Sequence, residues 1–484
     1  MKTNLRKALT IILCAFLLLP ILASCADSQS PGPTPSGRPS ATPTSAGSGG
    51  GGSSGSPGGT LRIAAVNSYG LKELAGGFML QNPDVTIELD CAFGPDDLAM
   101  DAAEIEAKID AFLRRIQLEM ENGEGPDVLS VYGMRFYDLF AQGFFDDLYT
   151  YMDDDPNFER ADYFENIFTA LEYHEGLFAF PTTVNIPYVL LNTTITDALG
   201  IDAHTYAAIT PMQVLEIYGR ALDEGLIDEN FRLDTADGGK SALWQEWDRY
   251  WDMKAGTARY DSPEFIAYLE ASARVQTQRE ASYHMYSTGS SGIVREPLYE
   301  GVNALTFISN LRIHEVTGPS FYWNSKFSTG AIPLMLEENG EGRTFLANDL
   351  LSIVANSQNK ERAWEFIKYC VAEGENVQYG SAVGMWYGDR FATALPINRN
   401  NLKKYAEAYA KKQIVGMSGI TVEQIYMTGY EIIENWLGMV DTSPLFFEIG
   451  NFDDILTEFY DKQTITAQEC AQQIQARAEE ILGG

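Results

Sequence analysis

Between Leu61 and Tyr132 the chain switches repeatedly between two hydrophobic periods, and this restricts the fold more than any other feature of the sequence. Leu61 to Val66 is a short apolar-rich run, the mark of a strand. Gly70 to Gln81 follows with helical spacing, and Val85 to Phe93 alternates as a second strand. Glu104 to Glu121 places Ile105, Ile109, Phe112, Leu113 and Ile116 on one helical face, and Gly125-Pro-Asp then opens a strand over Val128 to Tyr132. Strands alternating with helices give a parallel sheet with right-handed crossovers. In such sheets ligands bind beyond the carboxyl ends of the strands. The expected fold class is therefore α/β, and two loops become candidates for a site: Asn67-Ser68-Tyr69 after the first strand and Tyr132-Gly133-Met134-Arg135 after the third.

Further strands are expected at Asn185 to Leu191, Ala304 to Ser309, Gly330 to Leu334 and Leu351 to Ala355. Thr210-Pro211 reads as a helix start. Lys360 to Val371 reads as a helix burying Trp364, Phe366 and Ile367. The last helix opens on a capping box, Thr466-x-x-Glu469, with Cys470, Ile474, Ala478 and Ile481 on one face.

The first 59 residues read differently. Lys2, Arg6 and Lys7 precede a mostly apolar run from Leu9 to Leu22, shorter than the roughly 20 residues that span a bilayer. Basic residues, then an apolar run, then small residues describe a cleavable signal peptide over 1–24. Leu22-Ala23-Ser24-Cys25 resembles the bacterial lipobox, which implies that Cys25 becomes a lipid-bearing N-terminus. From 26 to 59 every residue is Ala, Ser, Thr, Pro or Gly except Asp27, Gln29 and Arg38. Such a segment cannot bury enough apolar surface to offset its ordering entropy, so 25–59 is expected to be the lipidated cysteine and a disordered tether.

Charge and composition exclude several functions. Removing 1–24 takes away three basic residues and no acidic one, leaving 31 basic against 67 acidic side chains and a formal charge of −36. That surface repels nucleic acid and anionic lipid headgroups. Cys91, Cys370 and Cys470 are widely spaced and form no C-x-x-C, so at most one bridge is available. The four histidines lie in no H-E-x-x-H, which argues against a zinc enzyme. Other patterns fail on their own terms. Gly51 to Gly55 fits G-x-S-x-G but follows no strand. Asp234 to Ser241 ends in Gly-Gly-Lys-Ser but has Asp234 where a phosphate loop needs glycine, with no strand expected before it. Asp153, Asp155 and Asn157 begin with calcium-loop spacing, but Phe158 replaces the glycine and Phe164 the closing Glu, leaving a solvated turn. Trp244, Trp247 and Trp251 fall on one helical face and read as core or as a contact between lobes.

A set of short motifs then appears in a characteristic order: Asn82-Pro83-Asp84-Val85; Gly125-Pro126-Asp127-Val128; Ala141-Gln142-Gly143 with Asp147-Leu148; Gly176-Leu-Phe-Ala-Phe-Pro181 leading to Tyr188-Val-Leu-Leu-Asn192; Asn359-Lys-Glu-Arg-Ala-Trp-Glu-Phe-Ile367; Leu395-Pro-Ile-Asn-Arg399; and Thr466-Ala-Gln-Glu469. Together they resemble the family 1 extracellular solute-binding proteins, the receptors of bacterial ABC importers. The resemblance implies the two-lobed periplasmic-binding-protein fold, with 60–185 plus 307–358 in one lobe and 190–305 plus 359–484 in the other. It also implies hinge closure on a small solute, commonly a sugar or oligosaccharide, and delivery to an ABC permease. The protein is then expected to be a monomer without cofactor or metal.

Residues matching the family's ligand-facing positions are Asn67, Ser68 and Tyr69, Tyr132 and Arg135, Asn185 at the first crossover, and Ser309, Asn310 and Arg312 after a second crossover strand. Leu311 and Arg312 stand where sugar receptors often carry Trp, a departure that weighs against a stacked linear oligosaccharide. Trp386 and Tyr387, set between Gly384 and Gly388, are further candidates, because sugar rings stack on exposed aromatic faces. Alternatives of other classes are a surface glycoside hydrolase using paired carboxylates, a receptor feeding a sensor kinase, and a receptor for a non-sugar solute such as a peptide.

Overall fold

The computed structural model describes residues 59–67, 70–94, 102–131, 136–227, 233–235, 249–252, 255–276, 305–308, 332–336, 342–348, 350–372, 394–413, 422–442 and 452–483. Numbered along the chain, the strands are β1 Gly59–Asn67, β2 Val85–Phe93, β3 Val128–Ser130, β4 Thr183–Asn185, β5 Tyr188–Leu191, β6 Leu233–Thr235, β7 Trp251–Asp252, β8 Thr257–Ala258, β9 Leu305–Ile308, β10 Ile332–Pro333, β11 Leu346–Asn348, β12 Leu351–Ile353 and β13 Leu395–Pro396.

The first sheet has the order β12-β3-β1-β2. β1 pairs in parallel with β2 and with β3, while β12 closes the far edge antiparallel to β3. The sequence explains the placement. Leu61, Ile63, Ala64 and Ala65 are all buried, as a central strand covered on both faces requires. β2 alternates, with Val85 and Ile87 buried and Thr86 and Glu88 exposed, as suits an edge strand with one wet face. The crossover helices are Leu71–Gln81 and Ala102–Glu121. The second buries Ile105, Phe112, Ile116 and Met120 at spacings of seven, four and four residues. Gly59 belongs to β1, opposite Val85, rather than to the tether.

The second sheet has the order β10-β5-β9-β6, and a third has the order β11-β4-β13. The expected single strand Asn185 to Leu191 is in fact two strands in two sheets. β4 pairs with β11 and β13, and β5 pairs with β9 and β10. Ile186 and Pro187 lie at the break. Pro187 has no N–H to offer a ladder and restricts the residue before it, which ends one strand and lets another begin.

Among the described residues three hydrophobic cores organise these layers. One surrounds the first sheet. The other two lie on opposite sides of the helix Pro211–Asp223, which sends Val214, Ile217, Tyr218 and Ala221 into the core of the second sheet. Its Leu215 joins a core built with Phe265, Tyr268, Cys470 and Ile474 from the helices Pro263–Gln276 and Ala467–Gly483. The expected helix start at Thr210-Pro211 and the expected capping box at Thr466 both form. Thr210 and Gln213 make a reciprocal capping box. The Thr466 N–H donates to Glu469 Oε2 while the Glu469 N–H donates to Thr466 Oγ1.

The division of the chain between units differs from expectation in two places. β9 pairs along its whole length with β5 and in parallel with β6, and β10 pairs with β5, so both strands belong to the second sheet. The return to the first unit falls between β10 and β11, not at 307. The segment after Asn359 joins the first core rather than the second. Ala363, Trp364, Phe366 and Ile367 of the helix Lys360–Val371 are buried there, with the rings of Phe366 and Tyr369 5.5 Å and 5.4 Å from that of Phe78. Leu395, Leu402, Ile433 and Val440 belong to the same core. Among the described residues after Asn359, the first to join a core of the second unit is Phe452.

Candidate functional site

β1 and β3 are neighbours and parallel, so both leave the first sheet at the same edge. Asn67 ends β1, and the buried Val131, one residue past the end of β3, donates its N–H to Leu350 O at 2.8 Å. The loops beginning at Asn67 and after Val131 therefore start from adjacent strands about 4.8 Å apart. That is the placement expected for a ligand site at the carboxyl ends. The backbone of Asn67 belongs to β1. Ser68, Tyr69, Tyr132 and Arg135 lie outside the described residues, as do Ser309, Asn310, Arg312, Trp386 and Tyr387.

Asn185 is the candidate whose side chain is described. It ends β4 opposite Leu346 of β11, is 7% exposed, and its Oδ1 has no hydrogen-bond partner among the described residues. Thr182 and Thr183, just before it, are each 2% exposed. The unpartnered Asn185 oxygen, at the point where the chain changes sheets, is unusual, because buried polar atoms are normally bonded. Asn185 is also tied in space to the first two loops. Leu350, bonded to Val131, is four residues from Leu346, a span of at most about 14 Å. Leu346 faces Asn185 at about 5 Å. With about 5 Å between Val131 and Leu350, Asn185 therefore lies within roughly 25 Å of the end of β3.

Among the described residues, three stretches of chain at the junction of the units run side by side. The Leu334 N–H donates to Pro187 O (3.1 Å), the Thr344 N–H to Leu334 O (3.3 Å), the Asp441 and Thr442 N–H groups to Arg343 O (3.0 and 3.2 Å), and the Phe345 N–H to Thr442 O (3.0 Å). Between Met335 and Arg343 the second stretch folds on itself, with the Leu336 N–H bonded to Gly342 O at 2.8 Å. Gly342 has φ +69°, and a Cβ there would stand 2.8 Å from Leu336 Cβ, so the turn requires glycine on both counts. A small apolar pocket lies against this strap. In the sequence, Pro187 within a predicted strand is the one signal that could have located the strap.

Other motifs resolve as structure. The Asp153-to-Asn157 run is not a solvated turn at its centre. Asp155 accepts from the Asn157 N–H (2.9 Å), from Trp364 Nε1–H (3.0 Å) and from Lys368 Nζ. The Lys368 and Asp155 side chains are only 16% and 11% exposed. Among the described residues no cluster of three or more metal-ligating side chains occurs. Trp251 is buried in β7 against Tyr260 and Phe452, so it is core, but on a strand and not on a helix. Asp234 lies within β6, a strand the sequence reading did not expect; the phosphate-loop match still lacks its first glycine. Among the described residues Cys91, Cys370 and Cys470 form no disulfide. Burial raises the Cys91 thiol to about 11 and the Cys470 thiol to about 12, so neither is a ready nucleophile.

Two α/β units, each with its own sheet and joined by chain passages beside a run of buried polar groups, define a two-lobed binding-protein architecture. Residues 65–377 match the family described as bacterial extracellular solute-binding protein, and the chain belongs to that family. Among solved structures, the sugar-binding protein MalE from the phytopathogen Xanthomonas citri is 14% identical, the match covering 88% of this chain and 98% of that one at TM-score 0.53. A periplasmic oligogalacturonide binding protein from Yersinia enterocolitica is 16% identical over 88% and 99%, at TM-score 0.52. A family 1 extracellular solute-binding protein from Alicyclobacillus acidocaldarius is 14% identical over 89% and 100%, at TM-score 0.51. At these identities the likeness shows the fold. No curated protein shows significant similarity to the chain. Among the described residues no helix is long and apolar enough to cross a membrane.

Proposed function

We propose that this protein is a lipid-anchored receptor on the outer face of a bacterial cell membrane. It captures a carbohydrate between its lobes as a monomer, without catalysis or cofactor, and delivers it to an ABC permease. The observation that carries the reading is the passage from β4 to β5 inside the family match, where buried Asn185 stands beside the only bonded strap joining the units among the described residues. The carbohydrate class is supported by neighbours of the same fold, one called sugar-binding and another oligogalacturonide binding. The anchor is supported by Leu22-Ala23-Ser24-Cys25 and the segment that follows it. Capture works because solute favours the closed state, and its preference for that state sets how far the equilibrium moves. In this reading Asn67, Ser68, Tyr69, Tyr132, Arg135, Asn185, Ser309, Asn310 and Arg312 surround the solute, and Trp386 and Tyr387 offer aromatic faces to it.

The test is a thermal-shift screen of the protein expressed without residues 1–25, against a panel of mono- and oligosaccharides and short peptides. One sugar class raises the melting temperature and is recovered intact. Turnover of a glycan, or a shift with peptides alone, refutes the reading. Trp386→Ala and Asn185→Leu then weaken that binding. Cys25→Ala in the full chain releases the protein into the medium; continued retention on the membrane refutes the anchor.

A further inference from the structure

The third passage between the lobes is held by an interaction on neither strap nor cleft. The helix Val422–Leu437 ends just before the strap, and the last carbonyls of any helix lack partners within it. Here two of the carbonyls at that end are taken by a single side chain. Asn166 Nδ2 donates one hydrogen to Leu437 O at 2.8 Å and the other to Val440 O at 2.7 Å. Asn166 comes from the helix Glu165–Ala170. It is followed there by Ile167 and Phe168, both 0% exposed in the first core. Its position is therefore fixed by rigid packing. One residue past Val440, Asp441 and Thr442 enter the strap through Arg343 O.

This end of the helix also carries the first lobe's side of the pocket at the strap. Trp436, Met439 and Val440 face Ile186, Pro333 and Leu334 across it, and Pro333 and Leu334 belong to the second sheet and its core. Any rotation of one lobe against the other must change the packing across this seam.

We propose that Asn166 is the anchor of the hinge. By clamping the carbonyls of Leu437 and Val440 to the first core, it fixes where the third passage leaves the first lobe. The three passages then bend as one hydrogen-bonded strap instead of as separate links. The proposal follows from the fold and its bonds and does not depend on which solute is bound.

Hydrogen–deuterium exchange on the full chain without solute tests it. Asn166→Leu removes both donors at similar volume. Exchange then accelerates about tenfold or more in peptides covering 334–345 and 437–442, as loss of two half-buried bonds implies, while peptides of β1 and β3 keep their parent rates. Unchanged rates at 437–442 overturn the proposal. Equal acceleration in β1 and β3 also overturns it, because Asn166 then serves the first core generally. If Asn166→Leu does not fold, Asn166→Asp keeps the shape, removes the same donors and sets oxygen against oxygen. It produces the same local pattern, and its failure to do so overturns the anchor equally.

Discussion

Asp155 offers a sharp test of how the segment after Asn359 is joined to the first lobe. Its carboxylate receives three donors: Lys368 Nζ, Trp364 Nε1–H at 3.0 Å and the Asn157 N–H at 2.9 Å. Two of the three come from the helix Lys360–Val371, more than 200 positions away in the chain. Asp155→Ala removes all three bonds and leaves Lys368 with Glu365 at 2.8 Å, whose side chain is 58% exposed. Bonds to a charged group stabilise by more than neutral ones, and breaking a largely buried pair from one side exposes the other partner's desolvation cost. Allowing for residual solvent access, the loss is about 2–4 kcal/mol. Lys368→Met leaves Asp155 with its two N–H donors, so the loss is smaller, about 1 kcal/mol. At roughly 2–4 °C per kcal/mol for a unit of this size, Asp155→Ala lowers the melting temperature by about 4–16 °C. Differential scanning calorimetry reads the shift, and Trp364 fluorescence reports whether the affected transition is the first lobe's. If Asp155→Ala costs no more than Lys368→Met, the carboxylate is not the hub of this joint and the reasoning is wrong.

The same node sets a pH dependence. Burial pushes the Asp155 carboxyl up, but Lys368, then the Asn157 and Trp364 donors, outweigh it and hold the group below 3.8. A depressed folded-state value means the unfolded chain binds the proton first as pH falls. The stabilisation is therefore complete above about pH 4 and disappears as pH drops through the folded value. The melting-temperature gap between the parent and Asp155→Asn is constant from pH 6 to 8 and narrows below about pH 4; a gap that widens there contradicts the pairing.

Three further outcomes follow. Asp127, 8% exposed, accepts from the Arg62 N–H at 2.8 Å, Ser357 Oγ–H at 2.6 Å and Asn359 Nδ2–H at 3.1 Å, so Asp127→Ala costs about 2–4 kcal/mol in urea unfolding. Gly342→Ala, with φ +69° and Leu336 Cβ in the way, lowers stability by about 1–3 kcal/mol, and unchanged stability shows that the turn relaxes. Titration with a thiol reagent at pH 8 leaves Cys370 and Cys470 unreacted in the native protein, because both are buried, and finds them in denaturant; rapid native reaction of either refutes the packing around it.

Much of the first lobe was legible because its signals are local. β2 spans the expected Val85 to Phe93, and the helix Lys360–Val371 spans the expected residues, because apolar period and flanking turn residues mark both. Asn185 was legible as a site candidate only through family likeness. No local signal marks a buried amide oxygen without a partner, since burial is created by β4 pairing with β11, well over a hundred residues downstream. Asp155 looked like part of a solvated acidic turn because its partners Trp364 and Lys368 come from a helix that no local pattern connects to it.

Alone, the sequence determined the alternating elements of the first sheet, the parallel pairing of β1 with β2 and β3, the helix start at Thr210-Pro211 and the cap at Thr466, and the family. The elements, their pairing and the helix starts rest on periodicity, turn chemistry and capping, which act over a few residues, while the family rests on the order of many short motifs along the chain. Tertiary structure decided which lobe each later segment joins, that the chain breaks at Ile186–Pro187 into strands of two different sheets, and that three passages meet in one bonded strap. An apolar face states that it will be buried but not against which partner. The choice among partners hundreds of residues apart is made by packing and by backbone bonds that exist only once the lobes have formed.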